Sequence, residues 1–468
     1  MAKSEVEKLK KQLFAARPHA GQALTPEQWR KIHEYSATYK NFLQNAKTER
    51  EAVELALELA RGRNFTEYDP EKTYCAGEKV YVNNRKKALI LAVIGKNPLD
   101  AGLRILASHV DSPRLDAKQN PLYEDSDLAL FKTHYYGGIK KYQWTALPLA
   151  LHGVIVRGDG QILPVSICEQ EDEPQFCVTD LLPHLDREQS KRKLSQGIKG
   201  EELNVLVGSM PFRADEGSEL VKLNILRLIF DKYGIVEEDF LSAELEFVPA
   251  VPVRDIGLDR SMIGGYGQDD RVCAYTSISA ILALDHAPPH TAVALFADKE
   301  ETGSDGNTGM QSAFFEHFVE SLCEKSGVRP RDCFAASECL SADVNVAYDP
   351  TWSSVLEKNN AAYLNKGVVA TKYTGSGGKF STSDASAEFT AKIIALFRDN
   401  GLLWQTGELG KVDEGGGGTV AKYLAKLGMD VIDVGVPILS MHSPFEVSAK
   451  ADVWMAYRAF GLFLTNDV

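Results

Sequence analysis

No stretch of the 468-residue chain holds enough uninterrupted apolar residues to cross a bilayer as a helix. The start, Met1-Ala2-Lys3-Ser4-Glu5-Val6-Glu7, is charged and has no apolar core of the kind a secretory signal carries, so a cytoplasmic protein is expected. Cysteine is sparse and scattered: seven residues (75, 168, 177, 273, 323, 333 and 339) with no Cys-x-x-Cys pair. That pattern excludes a disulfide frame and a thiolate zinc site, and it suits reduced thiols. Any metal would have to rest on imidazole and carboxylate. Positive charge is also short, with 52 Lys and Arg against 65 Asp and Glu and a formal net charge of -13. Neither nucleic acid nor an anionic membrane is an expected partner of such a chain. There is no internal repeat, and the one low-complexity tract is Gly415-Gly416-Gly417-Gly418.

What is present is ordinary globular material, 44% hydrophobic and 25% charged, in a length that favours two domains. Residues 4–63 have helical periodicity, with Thr25-Pro26-Glu27-Gln28 as a helix start. Apolar strand-like runs follow at 79–82, 88–94 and 103–107. From 119 to 249 the character changes to short strands, a charged stretch at 186–202 and a helix near 220–230. Beyond Pro252 strands and helices alternate: a helix over 272–284, a strand over 292–297, a helix around 311–323, a helix over 385–397, one strand over 431–439 and a last helix over 448–464. Alternation of this kind predicts an α/β fold with a mostly parallel central sheet flanked by helices. The expected division is a catalytic domain of residues 1–118 plus 250–468, interrupted by a smaller β-rich domain at 119–249.

In an open α/β sheet, ligands gather beyond the carboxyl ends of the strands. His109, the adjacent pair Glu300-Glu301, Asp343 and His442 each follow an apolar strand-like run, and Asp269 stands at a helix start. Adjacent carboxylates point in different directions, so one can bind a cation while the other moves a proton. Taken singly, each of these residues has a plainer reading: Asp269 as a helix cap, Asp343 as a turn cap, a strand-end His as a hydrogen-bonding residue.

Together, Ser108-His109-Val110-Asp111-Ser112-Pro113, Gln268-Asp269-Asp270-Arg271, Asp298-Lys299-Glu300-Glu301-Thr302-Gly303-Ser304, Ser341-Ala342-Asp343 and Met441-His442-Ser443 resemble, in order, the motifs of the M18 metallo-aminopeptidases, known as aspartyl aminopeptidases. The resemblance covers nearly the whole chain. It implies two divalent cations per subunit, usually zinc, with manganese or cobalt open to the same donor types. It implies that His109 and Asp343 hold one cation, that Glu301 and His442 hold the other, and that Asp269 bridges them, with Asp270 a competitor for the bridge. Glu300 would be the general base, and Asp111 would hold the second nitrogen of His109. Leu182-Pro183-His184-Leu185 resembles a family segment whose His enters a neighbouring subunit's site, and Tyr136-Gly137-Gly138 resembles the start of the family's inserted domain. Peptides would be the substrates, and the assembly a homo-oligomer, a dodecamer built from dimers.

Gly417-Gly418-Thr419 could offer backbone N–H groups to a substrate oxygen, and without a Gly-Lys-Ser/Thr ending it is no nucleotide loop. Acid-preferring members of the family use a Gly-Pro-Val-Ile-Lys segment. Here Gly367-Val368-Val369-Ala370-Thr371 takes its place and Lys372 comes one residue later. On a strand that shift turns a side chain to the opposite face, which weighs against an Asp/Glu preference and leaves a broader or apolar one open. The rival expectations are another dinuclear amidohydrolase, such as a carboxypeptidase or deacylase, and a catalytically silent assembly or cargo protein.

Overall fold

The computed structural model describes residues 3–15, 17–170, 172–214 and 216–466; Met1 and Ala2 of the charged start lie outside them. Helices Lys3–Leu13, Pro26–Asn45 and Glu49–Arg61 open the chain. Thr25 caps the second of these as its sequence predicts. Its hydroxyl accepts the Gln28 N–H at 3.2 Å, and Gln28 Oε1 accepts the Thr25 N–H at 2.9 Å.

The central sheet has nine strands in the order Thr66–Glu67, Lys79–Asn84, Ala88–Val93, Thr291–Ala297, Leu103–His109, Glu338–Ser341, Asp430–Gly435, Val368–Thr371 and Trp404–Thr406. Four consecutive members, Thr291–Ala297 through Asp430–Gly435, run parallel. Thr291–Ala297 and Leu103–His109 are buried at every position, which is why they are apolar runs and not alternating ones. On one face lie helices Gln268–Leu282, Ala387–Asp399 and Lys450–Thr465, with Pro26–Asn45 in the same core. On the other lie Phe314–Ser326, Pro330–Ala336 and the short Ala421–Ala425. The fold is α/β with a mixed, mostly parallel sheet.

The parallel register has a chemical consequence. Ala297 pairs with His109 and Ser341 with Ala107, so three strands finish at one edge. Glu300, Glu301 and Asp343 follow within four residues of those ends.

A second sheet is antiparallel and seven-stranded: Ile162–Ile167, Leu149–Val156, Glu244–Pro249, Arg114–Asp125, Leu128–Tyr136, Asn204–Gly208 and Cys177–Val178. It has its own core around Trp144, Phe131 and Phe247. Its longest strand, Arg114–Asp125, begins five residues after His109, so the sheet departs directly from the site edge.

Three details differ from the sequence expectation. The run 431–439 is two strands, Asp430–Gly435 in the central sheet and Pro437–Leu439 in a third, five-stranded sheet. The break falls where Gly435 meets Asp343: a Cβ there would lie 1.7 Å from the Asp343 carbonyl oxygen. The helix expected from 311 begins at Phe314, because Gln311 is held in a turn by its N–H bond to Ser304 O. The plain reading of Asp269 as a helix cap does not hold: Asp269 and Asp270 have non-helical dihedrals, and both Asp269 carboxylate oxygens go to imidazoles.

Candidate metal centre

His109 ends its strand with 1% of its surface exposed. Its Nε2 lies 3.2 Å from Asp269 Oδ1, 3.9 Å from Asp343 Oδ1 and 4.0 Å from Glu300 Oε2. His442 approaches the other oxygen of the same carboxylate, Nε2 to Asp269 Oδ2 at 3.2 Å, and lies 3.6 Å from Glu301 Oε2. Asp269 therefore stands between the two imidazoles with one oxygen toward each. No ion pair joins Asp270 to His442 among the described residues. Asp270 Oδ2 accepts the His109 N–H at 3.4 Å, and with His109 and Asp343 it forms a second group of potential ligand atoms within 4.8 Å of one another. The first such group is His109, Asp269 and Glu301.

Backbone construction explains how these side chains meet. Asp111, fully buried, takes the Glu300 N–H on Oδ1 at 3.1 Å and the Glu301 N–H on Oδ2 at 3.2 Å. Oδ2 also accepts the Tyr136 hydroxyl at 2.8 Å, and Oδ1 lies 3.3 Å from His109 Nδ1. Asp111 thus fixes both the imidazole, whose Nδ1 also meets the Asp111 backbone oxygen at 3.1 Å, and the turn carrying the two glutamates, held by its carboxylate. Lys299, just before that turn, sits at φ +67°, and His442 at φ +62°; both are left-handed conformations that cost a side-chain-bearing residue free energy and recur at functional sites. Gly137 and Gly138 let the end of strand Leu128–Tyr136 approach. Side chains there would crowd Glu301 Oε2 and His442 Nδ1, each at 3.2 Å from the added Cβ.

The electrostatics are those of too many acids for the cations at hand. Burial pushes Glu301 and Asp343 well above the ordinary carboxylate range and Glu300 up to about 6, and the charge on Asp269 adds to each shift. Burial also raises Asp269, but the imidazoles of His109 and His442 outweigh it and hold Asp269 below its usual value. Burial lowers His442, yet its bond to Asp269 and the charge on Glu301 lift it to about 11. Glu301 Oε1 and Asp270 Oδ1 are buried without a hydrogen-bond partner among the described residues. Unpaired carboxylate oxygens beside imidazole nitrogens are a donor set that fits divalent zinc, manganese or cobalt.

Residues 42–464 match the family model for the aminopeptidase I zinc metalloproteases, M18. The chain belongs to the M18 family of aminopeptidases. It is 50% identical over 448 residues to a probable M18 family aminopeptidase 1 of Clostridium acetobutylicum, covering 94% of this chain and 96% of that one. The crystal structure of aminopeptidase I from the same organism superposes with a TM-score of 0.91 at 47% identity, covering 97% and 100% of the two chains. An M18 aminopeptidase from Thermotoga maritima gives 0.91 at 41% identity, covering 96% and 99%. The mApe1 dodecamer of S. cerevisiae shares the fold, with a TM-score of 0.75 at 20% identity over 92% and 97%.

In this M18 metalloprotease, then, His109, Asp111, Asp269, Glu300, Glu301, Asp343 and His442 converge. Other sequence candidates stand apart. His184 is exposed, in a loop, and no hydrogen bond or ion pair joins it to the cluster among the described residues. Lys372 Nζ pairs with Asp384 Oδ1 at 2.8 Å, while Thr371 is buried with its hydroxyl accepting from Asn345 Nδ2 at 2.8 Å. Gly418 and Thr419 precede the helix Ala421–Ala425, in a loop anchored by the Gly375 N–H bond to Gly417 O at 2.6 Å.

One residue escapes sequence reasoning. Glu446, 1% exposed, takes the His442 N–H on Oε1 at 2.8 Å and the Asp269 N–H on Oε2 at 3.0 Å, tying those two backbones together. Its only sequence signal is an acid four residues after His442, which in a non-helical stretch carries no geometric meaning.

Proposed function

We propose that this aminopeptidase releases single residues from peptide N-termini at a centre of two divalent cations. His109 and Asp343 would hold one cation and Glu301 and His442 the other, with Asp269 shared between them. The observation that carries this is Asp269 itself, with its two oxygens each 3.2 Å from a different imidazole. When bound, such a pair supplies a more acidic water and a polarised scissile carbonyl. Glu300 takes the proton from the attacking water on a carboxylate oxygen and returns it to the amine nitrogen as the C–N bond breaks. Asp111 keeps Glu300 and Glu301 aimed apart through their backbone N–H groups. Backbone N–H groups at Gly418 and Thr419 face the substrate.

The N-terminal side chain enters a cavity of about 560 Å³ beside His442, walled by Tyr142, Trp352, Val355, Leu356 and Met441, with one cation, Lys140, and one acid, Asp349. That lining, and the pairing of Lys372 with Asp384, favour a broad or apolar residue over Asp or Glu. The protein works as a homo-oligomer assembled from dimers, toward the dodecamer named for the yeast relative. Its unit of residues 119–249 makes the contacts, and His184, exposed on that unit, serves a neighbouring copy. Free thiols suit a cytoplasmic setting.

Glu300→Gln tests the mechanism. Turnover of a leucine anilide is expected to fall by about 10²- to 10⁴-fold with metal content unchanged. Undiminished turnover would remove Glu300 from the mechanism.

A further inference from the structure

Beyond Gly303, which ends the turn carrying Glu300 and Glu301, lies an open basin of about 650 Å³. It is tied to that turn: Gln311 Nε2 and the Tyr423 hydroxyl, both in its lining, donate to Gly303 O at 2.9 and 3.0 Å. Its wall carries Lys422 and Lys426, four residues apart and so on one side of the short helix. Both ammonium groups lie over the Tyr423 ring, and neither is ion-paired among the described residues. The nearby acids are already engaged: Asp384 by Lys372 and Lys379, Asp305 by Gln311. Three successive hydroxyl residues, 381–383, complete the lining, and Ser383 Oγ is buried without a partner among the described residues. The Gly-rich loop meets this wall, since a Cβ on Gly418 would lie 3.3 Å from Lys422 Nζ.

Two unpaired ammonium groups in an open basin form a receptor for a carboxylate. An extended peptide advances about 3.3–3.6 Å per residue, and the basin meets the Glu300 turn at Gly303, three residues on, so a fragment reaching it from the scissile bond is a short one. Resting on the aminopeptidase action above, we propose that Lys422 and Lys426 bind the free C-terminal carboxylate of the leaving fragment, which makes dipeptides and tripeptides favoured substrates. An interior segment of a long chain has no free carboxylate to place there.

The test compares kcat/KM of the full-length holoenzyme on Leu-Gly, Leu-Gly-amide and Leu-Glu-amide, with a leucine anilide alongside. The free acid is expected to exceed its amide by roughly tenfold, mainly through KM, and the advantage to shrink in high salt. In the Lys422→Gln, Lys426→Gln double variant the ratio should approach one, and the Arg pair should restore it. Equal rates on Leu-Gly and its amide would overturn the proposal. So would an advantage carried by Leu-Glu-amide and absent from Leu-Gly, which would assign the basin to an acidic side chain. Failure on every substrate, the anilide included, would overturn the aminopeptidase mechanism and this proposal with it.

Discussion

His109 and His442 make the same bond, 3.2 Å to opposite oxygens of Asp269, yet they are held in different ways. His109 is the last residue of a fully buried strand, and the fixed Asp111 stands against its Nδ1. His442 sits in a left-handed loop position with its side chain 37% exposed, its Nδ1 against Gly138 O at 3.0 Å and its N–H on Glu446. One end of the centre is built into the core, and the other is brought to it by a loop and the close approach of a second sheet. The His109 end should carry stability as well as chemistry, the His442 end chiefly chemistry.

Paired alanine variants at the two histidines carry the largest expected effect. Removing His109 leaves buried carboxylates uncompensated and opens a cavity, and is expected to cost about 3–5 kcal/mol in urea unfolding with chelator present. His442→Ala should cost about 1 kcal/mol under the same conditions, while both variants lose peptidase activity. Equal losses of stability would dissolve the distinction.

A third histidine supplies a control. His152, on strand Leu149–Val156, is also buried between acids, at 2.7 Å from Glu51 and 3.0 Å from Glu169. Neither potential metal group among the described residues includes it. Burial lowers its pKa, but Glu169 and Glu51 outweigh burial and lift it to about 9. An unfolded-state value near 6.5 lies below this. The stabilisation is therefore whole below about pH 6.5 and is lost as pH rises through 9. It amounts to about 2–3 kcal/mol with its partly exposed partners allowed for. Thermal melting should show this loss in the wild-type protein and not in His152→Gln. A smaller effect is expected at Glu446→Gln, where metal affinity, read by chelator competition, should weaken roughly 10- to 100-fold through the His442 end.

The chain order of the motifs made much of this centre legible. Strand ends are visible as apolar runs, and parallel register brings ends from distant stretches together, so His109, Glu300, Glu301 and Asp343 stood out as candidates, while their expected roles came from the family resemblance. The helical start was legible through Thr25 and Pro26. What escaped depends on three-dimensional packing. The split at Gly435 is imposed by the Asp343 backbone, and the five-stranded sheet is made of strands too short to leave a periodicity. Glu446 and the second task of Asp111 are hydrogen bonds to backbone N–H groups, which place no demand on sequence spacing.

If Glu301 holds metal and Glu300 moves protons, metal stoichiometry in two single variants separates the two carboxylates. Elemental analysis of purified Glu300→Gln should find two divalent ions per chain in an inactive protein, and Glu301→Gln should retain one. Loss of metal from Glu300→Gln, or two ions kept by Glu301→Gln, would contradict that assignment.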